Sequence, residues 1–380
     1  MDDLLSLMDA PAGVAPAPAA HSDDLLSLLD IAPAAATAAA ATAATDDADA
    51  VWRGDIAKLR AAGPSVRVPR AAMIKLRNCA LSDGVPAALE GELWCALLGA
   101  GAAGAAEEAE RAFRATTARA SEMREQFEWD WDGSQRKKGQ QQQVANDLVT
   151  ISADIPRTCP SEQQAGRLDA EALRRVLDAL AVTTPAESGG WCGYVQGISH
   201  AVAFVLSRQP APAEHECYSM LLRLGRRPLL RLLWSVEPAG WAALSATFGL
   251  LLATRLPDLA LHLDRLGLLP QMYLPEWLMP LYARCLSPRL VAYVWSVWLV
   301  EGDAFLLRAA VAVMRALAPQ LLACRELAQC RAALGSAPET IELDELREML
   351  RTDSVLLGAD DMEPLARWVP RFFTGASDTK

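Results

Sequence analysis

The chain has 380 residues, enough for two to three average domains or for one large helical domain. A hydrophobic content of 52% and a mean hydropathy of +0.12 exclude disorder throughout, and 36 Lys and Arg against 47 Asp and Glu give a net charge of −11. That charge is unevenly placed: residues 1–50 hold nine Asp and no Lys or Arg, and the nearly neutral remainder lacks the clustered positive charge that nucleic-acid binding needs to displace counterions from phosphates.

Residues 1–50 read as a disordered acidic tail. The octets Asp2-Asp3-Leu4-Leu5-Ser6-Leu7-Met8-Asp9 and Asp23-Asp24-Leu25-Leu26-Ser27-Leu28-Leu29-Asp30 repeat each other, joined and followed by Ala/Pro-rich spacers. Such spacers lack the large side chains that offset the entropy of ordering, so mobility is expected with only fleeting helix. In the octets, acidic residues flank a leucine cluster whose apolar side suits a partner's groove, the ordering cost being met at binding. They resemble the short DLL-type motifs that engage clathrin and its adaptor appendages, and Asp24 with Leu28-Leu29 also fits an acidic dileucine pattern. A pair of solvated, weakly helical segments without a partner fits the same residues.

From Val51 to about residue 376 the periodicity is helical, and the expected fold class is all-α. Asp169 can cap a helix whose Leu173, Val176, Leu177 and Leu180 follow the i, i+3, i+4, i+7 stripe of an amphipathic helix. Ser287-Pro288 opens another, since proline at the first helical position loses no needed hydrogen bond; the apolar run Leu290 to Val300 follows, with Gly302 expected to close it in a left-handed conformation. Asp303 can cap the next, through Phe305, Leu306, Ala309, Val313 and Leu317 until Pro319. Alternating β-branched strands and flanked hairpin turns are missing. The polar stretch Gly133 to Gln143 reads as an exposed loop.

The eight cysteines form no CxxC pair and no secretory signal precedes them, which suits a reduced intracellular compartment. His215-Glu216-Cys217 has no second ligand pair at zinc-like spacing, so no metal is expected. The uncharged stretches Trp191 to Ser207 and Pro238 to Thr254 approach membrane-spanning length, but Gln196, Ser199 and His200 in the first and Pro238, Gly240, Ser245 and Thr247 in the second suit a buried setting, and no transmembrane segment is expected.

For chemistry, Gly197-Ile198-Ser199-His200-Ala201 comes near a GxSxG nucleophile elbow, but no strand precedes it to build the strained turn. Two other elements, 39 residues apart, carry more. In Ile151-Ser152-Ala153-Asp154-Ile155-Pro156-Arg157-Thr158, Pro156 is expected to hold Ile155 extended and put Arg157 on a loop or helix start, free to reach outward. In Gly193-Tyr194-Val195-Gln196-Gly197, a neutral amide stands between an aromatic residue and a glycine that lets another backbone approach. A guanidinium can stabilise charge on a transferring phosphoryl group while an amide orients an attacking water. A surface ion-pair arginine and a buried capping glutamine would have the same spacing.

The order and separation of Ile151, Asp154 and Arg157, then Tyr194, Gln196 and Gly197, resemble the two signature motifs of the TBC-domain GTPase-activating proteins for Rab GTPases. Gly84-Val85-Pro86, Leu89, Gly91, Leu93-Trp94 and Leu97-Leu98-Gly99 are similar to the family's opening pattern. Trp277-Leu278, Leu281-Tyr282-Ala283-Arg284 and Trp295 through Leu299-Val300-Glu301-Gly302 resemble its later helices, so the likeness covers about Gly84 to Leu317. It implies an all-helical domain that binds a GTP-loaded Rab and supplies two catalytic fingers in trans, Arg157 neutralising charge at the phosphate and Gln196 positioning the water. Ile151, Asp154, Tyr194 and Gly197 would support them. GTP and Mg²⁺ would come with the GTPase, leaving this chain without a cofactor of its own, and the setting would be cytoplasmic with peripheral recruitment to endomembranes in vesicle trafficking. Three positions depart from the family pattern: Glu90 where arginine is usual, Ser296 where aspartate is expected and Ser199 near the usual asparagine. Both finger residues are intact. The alternative implied by the same likeness is a catalytically inert helical scaffold that binds a Rab or a coat or adaptor component.

Overall fold

A computed structural model describes residues 38–62, 70–82, 84–100, 104–129, 140–184, 187, 193–235 and 238–352. The two Asp-Asp-Leu-Leu octets, the stretch 133–139 and the expected domain end at 376 lie outside the described residues. Among the described residues all regular structure is helical, as the periodicity requires.

The helix Ala38–Ala62 begins within the segment read as a disordered tail, because its alanines are the strongest helix formers. From Asp49 onward the chain forms one body in which Trp52, Ile56 and Leu59 bury the i, i+4, i+7 face of that helix. Gln140 to Gln143 also depart from the loop expectation. They form the first turn of the helix Gln140–Asp154, where glutamine's good helix propensity is reinforced by i, i+4 bonds from Gln142 to Asn146 (3.1 Å) and from Gln143 to Asp147 (2.8 Å).

The amphipathic stripe headed by Asp169 becomes the central helix Ala170–Val182. Its cap forms as expected, with Asp169 Oδ1 accepting from the Glu171 N–H at 2.9 Å, and Leu173, Val176, Leu177 and Leu180 are buried. This helix packs against Ala105–Trp129, Gln140–Asp154, Ile198–Leu206 and Glu214–Gly225. Arg124 adds a polar tie to the same joint: it forks onto the buried Asp178 carboxylate with two bonds of 2.6 Å and donates to Leu148 O (3.2 Å) and Ser152 Oγ (3.0 Å).

A second centre is the helix Pro288–Glu301, packed on Arg70–Ser82, Ala87–Leu97 and Ala304–Ala316. Trp94, Phe204, Trp295 and Trp298 form an aromatic cluster with neighbouring centroids 5.2 to 6.0 Å apart. Each indole in it has an acceptor: Ser296 Oγ for Trp94 (3.0 Å), Leu281 O for Trp295 (2.9 Å) and Asp303 Oδ1 for Trp298 (3.1 Å). Gly302 has the positive φ expected of it, 114°, but its ψ of 175° is extended rather than that of the αL cap, a combination reserved to glycine. Asp303 does not cap the helix Ala304–Ala316; its carboxylate takes the Trp298 N–H, the Arg227 guanidinium and the Leu229 N–H (3.4 Å), so it caps a distant helix start instead. Pro319 ends one helix by sitting in the first turn of the next, Ala318–Ala323.

Of the first uncharged stretch, Ile198–Leu206 is a buried helix, but Gln196 stands exposed in the turn before it, against the buried setting expected. The second forms most of Pro238–Arg255, whose Leu244, Phe248, Leu251 and Leu252 are buried while Leu250 is exposed. No single described helix is long and apolar enough to cross a membrane. No cluster of three or more His, Cys, Asp or Glu with metal-binding geometry occurs among the described residues.

Candidate functional site

The arginine element is built by an interrupted helix. Gln140–Asp154 runs as α-helix until Pro156, which has no N–H to continue the ladder. The chain tightens into a 3₁₀ turn, Ile155–Arg157, closed by Thr158 N–H to Ile155 O at 3.1 Å, so Ile155 is helical rather than extended as expected from the sequence. Cys159 then takes a left-handed conformation (φ 47°, ψ 55°), and Gln163 fastens the loop by donating to Ile155 O (2.8 Å) and Thr158 O (2.7 Å). Ile151 is fully buried behind the loop, and Arg157 stands outside with 67% of its side chain exposed.

Arg157 is extended but oriented. Its Nε donates to Ala153 O (3.0 Å) and its Nη2 to Asp154 Oδ1 (2.6 Å), leaving both Nη1 hydrogens and one on Nη2 free to face a ligand. The other Asp154 oxygen, Oδ2, accepts from the Tyr194 hydroxyl at 2.8 Å, and burial holds that phenol protonated by raising its pKa well above 10. The chain Tyr194–Asp154–Arg157 therefore links the two sequence elements through a nearly buried carboxylate.

The glutamine element is fixed from the same helix. Asp147, two turns before Asp154, accepts from Tyr194 N–H through Oδ2 (2.8 Å) and from Gln143 Nε2 through Oδ1. Burial still outweighs these two donors and raises the Asp147 carboxyl. Gly193 has φ +82°, and a Cβ there would lie 2.9 Å from Asp147 Oδ2, so only glycine lets the loop come this close. Ile198 N–H to Val195 O (3.1 Å) then closes a turn with Gln196 and Gly197 at its centre; Gly197 at φ 102°, ψ −24° supplies the positive φ that a type II turn needs at its third position. Gln196 at the tip is exposed.

Arg157 and Gln196 consequently line one open cavity of about 630 Å³, together with Asp154, Tyr194, His200 and Arg284. The GxSxG look-alike contributes no nucleophile: Ser199 is buried in the first turn of the helix Ile198–Leu206, accepting from Thr158 Oγ1 at 3.0 Å. Burial, and secondarily the charge of Arg284, lowers the His200 pKa, so its ring is neutral near pH 7. Asp147, Gly193, Thr158, Gln163 and Arg284 were not singled out for roles from sequence. Asp147 could have been found, because its i, i+7 spacing from Asp154 puts both acids on one helix face; Arg284 offers no such signal, since its place in the cavity is a tertiary fact.

The three departures from the family pattern have partners. Glu90 is buried and pairs with Arg208 Nη2 at 2.6 Å; burial is the dominant influence and carries its carboxyl up to about 7 despite that pairing. Ser296 accepts the Trp94 N–H, and Ser199 accepts from Thr158, tying the glutamine helix to the arginine loop.

The Rab-GTPase-TBC domain model matches residues 87–322, more than half of the chain. Curated relatives include TBC1 domain family member 12 of Xenopus tropicalis, 29% identical over 202 residues covering 52% of this chain and 28% of that protein. Human TBC1 domain family member 14 is 27% identical over 208 residues, covering 54% of this chain and 29% of the relative. Mouse Carabin is 28% identical over 219 residues, covering 55% and 46%. The matched part of the chain thus spans less than half the length of each of these relatives. Among solved structures, the Chlamydomonas flagellar RabGAP TBC domain aligns with a TM-score of 0.59 at 18% identity, covering 83% of this chain and 94% of that one. The Ypt/Rab-GAP domain of Gyp1p aligns with a TM-score of 0.57 at 15% identity, covering 79% and 96%. With the helical architecture, the two motif elements meeting at one cavity and the family match over its core, the chain belongs to the Rab-GTPase-TBC domain family.

Proposed function

We propose that this chain is a GTPase-activating protein for a Rab-family GTPase and that Arg157 and Gln196 act in trans on the GTP the partner carries. The observation that supports this reading best is the pairing of an exposed guanidinium and an exposed carboxamide, from segments 39 residues apart, on one open cavity. Arg157 has three N–H groups uncommitted, enough to meet the oxygens of a transferring phosphoryl group, while Asp154 and Ala153 O hold its plane. Gln196 at the turn tip offers one acceptor and two donors, the set needed to orient a water for in-line attack. GTP and Mg²⁺ belong to the partner as substrate and its metal, so the chain requires no cofactor of its own. The setting is cytoplasmic, with peripheral recruitment to endomembranes during vesicle trafficking. In the tail, the two Asp-Asp-Leu-Leu octets are the segments proposed to engage clathrin or adaptor appendages.

Single-turnover GTP hydrolysis by a panel of Rabs tests the fingers. Wild-type protein accelerates at least one Rab; Arg157→Ala and Gln196→Ala return that Rab nearly to its intrinsic rate, an arginine finger contributing about 10³- to 10⁵-fold. Equal acceleration by wild type and both variants refutes the dual-finger role, and binding without acceleration by wild type favours the inert-scaffold reading. For the tail, recovery of clathrin or adaptor appendages falls when Leu4, Leu5, Leu25 and Leu26 are replaced by Ala; unchanged recovery refutes that part.

A further inference from the structure

Beside the finger cavity lies a second one of about 310 Å³, and the two share Glu276 and Arg284 as their common wall. The second cavity is lined by the buried aromatic residues Tyr273 and Trp277 and by Arg331 of the helix Leu327–Gly335. Among the described residues neither Arg284 nor Arg331 makes a hydrogen bond or ion pair with another side chain, unlike Arg157, Arg208 and Arg227, each of which meets a carboxylate. Glu276, the one acid in the lining, is likewise unpaired among the described residues, so the second cavity carries two guanidiniums against one carboxylate.

Arg284 is also held on a rigid platform. Three and two residues before it, Leu281 and Tyr282 adopt φ of 51° and 68°, a left-handed conformation disfavoured for bulky side chains, and both are fully buried. The surrounding core enforces it: Trp295 Nε1 donates to Leu281 O at 2.9 Å, the Tyr282 hydroxyl to Leu306 O, and Trp234 Nε1 to Met279 O at 3.3 Å. A side chain launched from such a turn loses less freedom on binding than one on a mobile loop.

We propose that Arg284 and Arg331 form a second contact for the GTPase partner, holding an acidic side chain of its surface next to the finger cavity. This rests on the Rab-directed reading above and extends it to a recognition element. Continuity with the finger cavity selects the same partner, and the excess of unpaired guanidinium selects a carboxylate, which a planar cation binds through two parallel hydrogen bonds. Such a contact sets affinity and partner choice, because a Rab with a basic or apolar residue at that place leaves two cations unmatched.

The test titrates the 380-residue chain as wild type, Arg157→Ala, Arg284→Glu, Arg331→Glu and Arg331→Lys against a panel of Rabs loaded with a non-hydrolysable GTP analogue, at two salt concentrations, alongside single-turnover hydrolysis. Arg284→Glu and Arg331→Glu each weaken binding about tenfold or more and flatten its salt dependence, Arg331→Lys retains part of the affinity, and the GTPase concentration for half-maximal rate rises in step. Arg157→Ala loses acceleration while keeping most of the binding. Affinity and salt dependence unchanged by both charge reversals overturn the second contact and leave the fingers standing. Wild-type binding that is charge-reversal sensitive but accelerates no Rab overturns the fingers and leaves the contact standing. Failure of wild type to bind any loaded Rab overturns both.

Discussion

Replacing Tyr194 by Phe removes one oxygen and keeps the ring, so it isolates the hydroxyl that donates to Asp154 Oδ2 at 2.8 Å. Asp154 is nearly buried, and its other oxygen orients the exposed Arg157. The ion pair itself adds under about 1 kcal/mol to stability at that exposure, so its importance is orientation. A hydrogen bond to a charged group contributes about 1.5–3 kcal/mol. If that loss falls on the placement of Arg157 in the transition state, hydrolysis slows by about ten- to a hundredfold, well short of the ~10³- to 10⁵-fold expected for Arg157→Ala. The assay is single-turnover GTP hydrolysis with the most strongly accelerated Rab, with urea denaturation run in parallel to separate folding from rate. A double-mutant cycle makes it sharper: if Tyr194 acts through Arg157, adding Tyr194→Phe to Arg157→Ala changes the residual rate by less than about twofold. A Tyr194→Phe variant that loses stability yet accelerates hydrolysis as wild type does, or a full further loss in the Arg157→Ala background, refutes the orienting chain.

Two further outcomes follow from the geometry. Gly193→Ala forces a side chain into φ +82° and places its Cβ 2.9 Å from Asp147 Oδ2, so urea denaturation should show a loss of about 1–2 kcal/mol and hydrolysis should slow as the glutamine turn shifts; wild-type values for both contradict the account of this loop. For Glu90, burial raises the folded carboxyl from 4.5 to about 7, so the native state holds the proton more tightly than the unfolded chain. Its contribution to stability is therefore complete below pH 4.5 and lost as pH rises through 7. Glu90→Gln, which cannot titrate, removes that slope: urea midpoints measured from pH 5 to pH 8 should fall more steeply for wild type than for the variant, and parallel profiles would show that Arg208 keeps Glu90 ionised throughout.

Much of the site was legible in the chain because its chemistry is local. Pro156 announces an interruption of the helix and thereby an outward Arg157, although the interruption is a 3₁₀ turn and not an extended residue. Gly197 announces a close approach of another segment, which Met279-Pro280 makes, whereas the positive φ and the turn that puts Gln196 at its tip are added by the structure. Asp169 and its apolar stripe read as a capped amphipathic helix and form one. The misreadings are also local in origin. Gln140 to Gln143 look like a low-complexity loop but are good helix formers with acceptors one turn ahead, and Asp303 looks like a cap for its own helix until Arg227, Leu229 and Trp298 arrive from elsewhere to claim its carboxylate.

Hydrophobic spacing and helix punctuation, read from the sequence alone, determined an all-helical body and the buried stripes of the helices Ala170–Val182, Pro288–Glu301 and Ala304–Ala316, because backbone propensity and amphipathic period depend on neighbours a few positions away. The arginine and glutamine elements stood out by Pro156, by Gly197 and by their family resemblance. Only tertiary packing decided that Tyr194 meets Asp154, that Asp147 receives the Tyr194 backbone, that Glu90 finds Arg208 118 residues away and that Arg284 joins the finger cavity from a strained turn. Those contacts join residues 40 to 127 positions apart in the chain. No local pattern encodes them, since each depends on how whole helices dock to bury their apolar faces and on which polar groups that docking leaves within hydrogen-bonding reach.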